Sequence, residues 1–574
     1  GYEAEGVVRD SAGASDDTPR AHVAERIVSL NEDAQPIADE HGQGLVLDLP
    51  ITAEGSGIKW RLVWAAHTAD PIMEVRKTPA RFRYAQHWQD LDAVIEHAVD
   101  SRDDYLAHSR RFERLLEQAP LTQSRRHLIA LGFHSYLSNT FWCDIENGGD
   151  WFSNWEGSCM FHSTIDVEYN LSLFYFTIWP ELLGKTIDQW AQFGKYHPES
   201  DGTIAVHDMG RGLPANGQSY HHDMPVEENA NFLLLLQAYA HWTGKTERIE
   251  RHADFVRKLT RYLLWTDRED CGFPTEGNAN TIDDATPAVQ YARKQTYLAV
   301  KRVMALLAAA DLLSRAGDEQ TATHCRDAVR LARPKIEEQA WLGDHFAVCI
   351  DRDATGIADV WTGKPLLVDE LEGWDDYSIY TANGLLLPQI IGRPSPFDHD
   401  KMALDIMNAT RETLTPYGSG HCSSDWTNVW VSQNLWRDLV SRYLGAIVPP
   451  LDDRYWDLQT FSNTGDQSFG FIDTYIGNEL CFYPRGATAF GHFLAGPRMR
   501  IDRLAEDGAK VSITPDRYRH SRWPLLPLAD WEAGKIPVCV VDGDGRVQIE
   551  GEIEKVEIHD AQDPSPTDSE GPAG

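Results

Sequence analysis

The sequence predicts a mainly α protein, an (α/α)6 barrel that carries a β-rich N-terminal domain. Three observations support this. From Leu121 to Ile501 apolar residues recur at intervals of three and four, the period of helices with one buried face. Up to about residue 78 the pattern is instead polar, with short alternating runs, the period of strands. The helical segments are joined by long loops dense in Trp, Asn, His and carboxylates, which a toroid with one functional end requires.

Taken in order, residues 1–85 form the β-rich domain, with short alternating runs at Gly44–Leu49 (GLVLDL) and Lys59–Trp64 (KWRLVW). Residues 86–120 read as a helical linker, with amphipathic stretches at Ala93–Val99 and Tyr105–Leu116. Residues 121–511 form the barrel. Its expected helices include Arg126–Leu137, Val167–Leu183, Asn229–Trp242, Arg248–Trp265, Ala288–Ala316, Glu319–Gln339, Val429–Leu444 and Ala487–Leu494, most of them separated by Gly, Pro or Asp. About a dozen such elements suit an inner ring of helices wrapped by an outer ring. A solenoid is the alternative, disfavoured because no fixed repeat recurs. Residues 512–560 return to alternation, at Val538–Val541 and Val547–Ile558, and 561–574 have the composition of a disordered tail.

Lys and Arg number 53 against 88 Asp and Glu, a net charge of −35. That balance argues against nucleic acid and against anionic lipid as partners. No run of 18 apolar residues exists to span a membrane. The 8 cysteines are scattered with no CxxC pair, so no zinc site of the usual kind is expected. The first residues, GYEAEGVVRDSAG, lack the pattern of a signal peptide, so a cytoplasmic location is the expectation. A first residue of Gly rather than Met is compatible with a processed or partial chain.

Five loops concentrate the chemistry. Asp144–Asp166 (DIENGGDWFSNWEGSCMFHSTID) sets tryptophans and amides beside acids. Aromatic faces cover the apolar side of a pyranose, and carboxylates and amides bond its hydroxyls, so the segment suits a sugar site, with Trp155 as a platform. A long polar loop over a core is the plainer reading. His207–Asn231 is dense in His, Asp and Glu. Adjacent His221 and His222 with Asp223 hint at a metal, but neighbouring histidines point different ways and no H-E-x-x-H helix is present. Hydroxyl recognition by His207 and Asp208 fits better. In Cys271–Asp284, Asp283 and Asp284 sit at a helix entrance, where capping and catalysis are equally available roles. Ser419–Trp430, which holds Asp425, and Thr474–Gly486, which holds Arg485, mix polar and aromatic residues before a helix. Cleaving a glycosidic bond needs a proton donor and an anion at the oxocarbenium-like centre, and two carboxyls of different pKa supply both. Spacing alone does not choose the pair.

The segments WEGSCMFHSTIDVEYN (155–170), DGTIAVHDMG (201–210) and NTIDDATPAVQYARKQTYLAVK (280–301) resemble glycoside hydrolase families 52 and 116, and the last leans towards family 52, the β-xylosidases. The resemblance covers about residues 120–500 and implies a retaining double displacement on β-xylosides or β-glucosides. By matched position it makes Glu156 the nucleophile and Asp283 the acid/base, with Asp166, His207, Asp208 and Thr281 holding the glycone, joined by Arg485 and Asp425. It implies a carbohydrate substrate, no cofactor and no metal; a homodimer is compatible with it. The N-terminal β region is much shorter than in either family, and the family's Tyr-Asp reads Ile282-Asp283 here. The stretch NGQSYHHDMPVEENANFLLLLQAY (216–239) also resembles glutaminase-A-like proteins. That keeps a glutaminase-like amidohydrolase, or a non-catalytic carbohydrate-binding barrel, as a competing reading.

Overall fold

The structure is a computed structural model. It describes residues 2–8, 21–30, 34–39, 42–47, 61–146, 148–282, 285–352, 357–358, 365–366, 370–462, 469–474, 480–506, 508–515, 521–553 and 557–558. Asp283, Asp284, Lys59, Trp60 and the segment 561–574 lie outside the described residues.

The chain forms two compact units, one of residues 1–115, 141–153 and 210–216, the other of 116–140, 154–209 and 217–574. The first unit holds an antiparallel sheet of Tyr2–Val8, Ala21–Ser29 and Leu62–His67, and a hairpin of Ala34–Asp39 with Gly42–Leu47. Strand Leu62–His67 keeps the alternation expected of it: Ala65 and His67 are buried while Leu62 and Trp64 face water. A further sheet is ordered Pro214–Ala215, Met73–Val75, Thr78–Phe82, Thr140–Ile145 and Asp150–Asn154. Helix α1 (Leu91–Asp100) follows, capped by Asp90, whose carboxylate accepts the Ala93 N–H at 2.9 Å; α2 is Arg102–Gln118.

In the second unit two kinds of helix alternate. Helices α4 (Ile165–Ile178), α6 (Pro225–Thr243), α8 (Thr296–Arg315) and α11 (Val431–Leu444), with the segments Asn383–Ile390 and Pro484–Ala495, are buried over nearly their whole length. Taken in chain order each packs against the next, and Pro484–Ala495 packs against α4. Between them run α3 (Gln123–Ser138), α5 (Pro180–Trp190), α7 (Glu247–Trp265), α9 (Glu319–Ala340), α10 (His399–Glu412) and α12 (Asp452–Ser462). These bury a single stripe. In α9 it is Ala322, Cys325, Val329, Ala332, Ile336 and Ala340, spaced by three and four. An amphipathic period therefore marks the striped helices, whereas the others are buried on all sides, polar residues such as Glu168, Glu228, Asn231 and Arg437 included. The C-terminal strands pair in two small sheets, Arg500–Asp502 with Lys510–Ile513 and Glu557–Ile558, and Ser521–Pro524 with Val538–Val541 and Val547–Glu550.

Three expected helices differ from the structure. Val167–Leu183 is broken at Trp179, which takes φ −139° and ψ 57° because Pro180 bars it from the α region. Ala288–Ala316 divides into Pro287–Tyr291 and α8, because Gln295 bridges Cys349 and the Thr296 N–H bonds the Val348 carbonyl at 2.9 Å. Those pairings hold the intervening chain extended. Ala487–Leu494 is mostly 3-10 helix (Pro484–Gly491), where two glycines weaken α propensity. Gly132 in α3 admits close passage of this segment: a Cβ on it would stand 2.5 Å from the Gly486 carbonyl carbon.

Candidate active site

Glu156 follows the strand that ends at Asn154 and sits in a loop closed by the Trp155–His162 bridge and by its own N–H on the Phe161 carbonyl at 2.9 Å. Gly157 explains the Glu-Gly pair. Its φ is +48°, and a Cβ there would lie 2.3 Å from the Cys481 carbonyl oxygen. Both carboxylate oxygens of Glu156 accept hydroxyl protons: Oε2 from Thr164 at 2.5 Å, Oε1 from Tyr483 at 2.5 Å. Burial pushes the Glu156 carboxyl up to about 7. The charge of Asp166 adds to that, while His207 and the two hydroxyls oppose it.

The 162–165 segment is laced to the 207–209 segment. The Ile165 N–H bonds the His207 carbonyl at 2.9 Å, and the Met209 N–H bonds the His162 carbonyl at 3.0 Å. This brings His207 to the first turn of α4, where Asp166 lies, with Nε2 at 3.9 Å from Asp166 Oδ1. His207 donates through Nδ1 to Asp208 Oδ2 at 3.0 Å and stacks on Tyr220, ring centres 4.1 Å apart. Asp208 accepts the backbone N–H groups of Ser219 and Tyr220 at 2.9 and 3.0 Å. Burial works against a charged imidazole, but the Asp208 hydrogen bond with the Asp166, Asp208 and Glu156 charges outweighs it and raises His207 to about 9.

The first turn of α6 supplies two buried acids. Glu227 takes Lys301 Nζ at 3.0 Å and the Tyr297 hydroxyl on Oε1, and the Thr281 N–H at 2.7 Å on Oε2. Thr281 donates its hydroxyl to Asp166 Oδ2 at 2.5 Å. Glu228 holds the Asn231 amide at 3.1 Å; burial, then the Asp166 and Glu227 charges, drive its carboxyl well above the ordinary range. Arg485 is fully buried, bonded to Asp473 Oδ2 through Nε and Nη2 at 3.0 and 2.8 Å. It rests on the Trp430 ring at 4.5 Å and brings Nη1 to 3.7 Å from Asp166 Oδ2.

Of the residues singled out in the sequence, Glu156, Asp166, His207, Asp208, Thr281 and Arg485 thus meet in one buried cluster. Asp283 lies outside the described residues, two positions beyond Thr281. Asp425 is buried in its own turn, where it accepts the Thr427 hydroxyl at 3.1 Å and bridges Cys422. The Trp155 indole N–H points to His162 Nε2 at 3.1 Å. The sequence reading passed over Thr164, Tyr483, Glu227, Glu228, Tyr297, Lys301 and Asp473. The MPVEE segment and the Tyr in FYPRG were visible, but which carboxylate meets which hydroxyl depends on helix packing. The cluster can bind a polyhydroxylated ring and can offer a carboxylate of raised pKa as nucleophile or base.

Two family models match parts of the chain. The model described as glycosyl hydrolase family 52 matches residues 61–232, and the glutaminase A six helical-hairpin domain matches residues 154–356. Both therefore cover Glu156, Asp166, His207, Asp208, Glu227 and Glu228, and neither reaches half of the chain. Glutaminase A of Aspergillus oryzae (strain ATCC 42149 / RIB 40) is 29% identical over 168 residues, 28% of this chain. The match spans only 22% of that protein. Among solved structures, a family GH78 rhamnosidase of Bacillus sp. GL1 has a TM-score of 0.48 at 13% identity, covering 98% of this chain and 54% of its own. A rhamnosidase from Klebsiella oxytoca, with rhamnose bound, has a TM-score of 0.43 at 8% identity, covering 66% of this chain and 64% of its own. Scores this low define no shared fold. The similarity to glycosyl hydrolase family 52 and to glutaminase A over the site segments is what the comparisons show.

Proposed function

We propose that the protein is a glycoside hydrolase, a retaining exo-β-glycosidase acting on β-xylosides or β-glucosides, with Glu156 as nucleophile and Asp283 as acid/base in an (α/α)6 barrel. The observation that carries this is the Glu156 carboxylate: buried, held by two hydroxyls, and within reach of the Asp166 and His207 charges, in a segment that matches glycosyl hydrolase family 52. The alternation of fully buried and striped helices supports the barrel. In the first half-reaction Glu156 attacks the anomeric carbon as Asp283 protonates the leaving oxygen; in the second, Asp283 takes a proton from water, which releases the sugar. Asp166, His207, Asp208 and Arg485 hold glycone hydroxyls, and Thr281, bonded to Asp166, anchors the segment leading to Asp283. Each of the two displacements inverts the anomeric carbon, so the configuration is retained overall.

A panel of nitrophenyl glycosides tests the reading. Turnover on xylosides or glucosides is expected, with near-complete loss in Glu156→Gln and rescue of Glu156→Ala by azide as a glycosyl azide. Full activity in Glu156→Gln would sink it. The match to glutaminase A over residues 154–356 favours one competing reading, an amidohydrolase. Ammonia release from glutamine without release from any aryl glycoside would establish that reading instead.

A further inference from the structure

Asp166, His207 and Glu228 come from three segments: the first turn of α4, the loop before Met209, and the first turn of α6. Their exposures are 5%, 4% and 0%. Each is fixed through one atom and presents another. Asp166 Oδ2 takes the Thr281 hydroxyl at 2.5 Å, and Oδ1 has no hydrogen-bond partner among the described residues. Glu228 Oε2 takes the Asn231 amide at 3.1 Å, and Oε1 likewise has none. His207 is held through Nδ1 by Asp208, which leaves Nε2 facing Asp166 Oδ1 at 3.9 Å. One donor atom from each residue lies within 4.8 Å of the others. Some point is then no farther than 4.8/√3, about 2.8 Å, from all three atoms. Closing to bonds of about 2.0–2.2 Å needs movements of at most about 0.6–0.8 Å.

Two carboxylate oxygens buried without hydrogen-bond partners are costly, and one cation shared between them would satisfy both. We propose that Asp166, His207 and Glu228 form a site for a divalent transition cation, Zn2+ or Mn2+, beside Glu156. One imidazole with two carboxylates suits those ions, whereas Mg2+ and Ca2+ prefer oxygen donors throughout. Asp208 is the outer carboxylate that orients a ligating histidine, itself pinned by the Ser219 and Tyr220 N–H groups. Arg485 is not a rival for the site: it approaches Asp166 through the other oxygen, at 3.7 Å, and its charge is matched by Asp473. Three protein ligands leave coordination positions open to water or to a substrate oxygen. The inference stands on this geometry and does not require the glycosidase reading, whose direct glycone contacts from Asp166 and His207 a bound cation would replace.

The test uses the full chain, stripped with chelator and titrated with ZnCl2 and MnCl2 by calorimetry. One cation per chain is expected, at micromolar Kd or tighter, with a rise in Tm. Affinity falls at least tenfold in Glu228→Gln and in His207→Gln, and by about 10- to 100-fold in Asp208→Asn. Circular dichroism checks that each variant folds. Co2+ loading of the unmodified chain gives a second reading, with visible d–d bands expected from a nitrogen-and-oxygen site. No uptake beyond that of the His207→Gln/Glu228→Gln double variant, or a Co2+ spectrum identical to the aqueous ion, overturns the inference. A stripped chain that takes up no cation yet cleaves aryl glycosides at full rate removes this inference and leaves the hydrolase reading standing. A bound cation with no turnover on any glycoside does the reverse.

Discussion

Tyr483→Phe removes one of the two hydroxyls that stabilise the charged form of Glu156 and leaves the other, Thr164, in place. Tyr483 is buried, so water does not readily replace the lost donor. A hydrogen bond to an ionised group contributes about 1.5–3 kcal/mol, about a 10- to 150-fold change in the ionisation equilibrium. Glu156 begins near 7, so half of it is ionised at neutral pH. After the substitution the ionised fraction at pH 7 drops to about a tenth or less, and kcat/KM there falls about fivefold or more. The sign follows from the chemistry: the nucleophile acts as carboxylate, so activity rises with pH through its pKa, and losing a donor to the carboxylate moves that limb to higher pH. The assay is kcat/KM for an aryl glycoside from pH 5 to pH 9, in both proteins. The defect should narrow as pH rises. An acid limb that stays in place or moves to lower pH, or a defect equal at every pH, refutes the reasoning.

Other substitutions probe the scaffold. Gly157→Ala forces a Cβ to 2.3 Å from the Cys481 carbonyl at a positive φ; a loss of about 2 kcal/mol or more in denaturant unfolding is expected, and a midpoint within error of the original would contradict it. Glu227→Ala leaves Lys301, 1% exposed, without its counter-charge and is expected to destabilise by about 3–5 kcal/mol. Glu227→Ala/Lys301→Met should recover much of that in the same unfolding assay. Asp405 is buried in α10 and accepts the Phe346 N–H at 2.8 Å, and burial raises its carboxyl to about 7. A folded pKa above the unfolded one means its favourable contribution is complete below about 4 and is lost as pH rises through 7. Asp405→Asn should therefore be more resistant than the original to heat at pH 8 relative to pH 4, by at most a few kcal/mol, and parallel Tm curves for the two proteins would count against it.

The outer helices were legible because each has to satisfy water on one side and the core on the other, which writes a three-and-four spacing into α7 and α9. The fully buried helices were legible where they carry apolar stretches, such as Phe232–Leu236 in α6, but their ends were not. Pro180 divided one, and pairing of Gln295 and Thr296 with Val348 and Cys349, more than fifty residues away, shortened another. The first of those breaks can be reasoned from a dipeptide; the second needs the partner strand. The site followed the same division. His207 and Asp208 stood out by composition and Glu156 by the resemblance of its segment, whereas Tyr483 reaches Glu156 across 327 residues and Lys301 reaches Glu227 across 74.

Residue chemistry alone settled which loops carry acids, amides and aromatics, and where the polypeptide turns from alternating to helical periods. Packing decided the rest. It chose which oxygen of each carboxylate is tied down and which is left facing a neighbour, and it set how far burial lifts Glu156 and Glu228. The reason is range. Periodicity is written by solvent acting on each residue in place, but an ionisation equilibrium is governed by every charge and dipole within several ångströms. Those neighbours assemble only when the helices close around them.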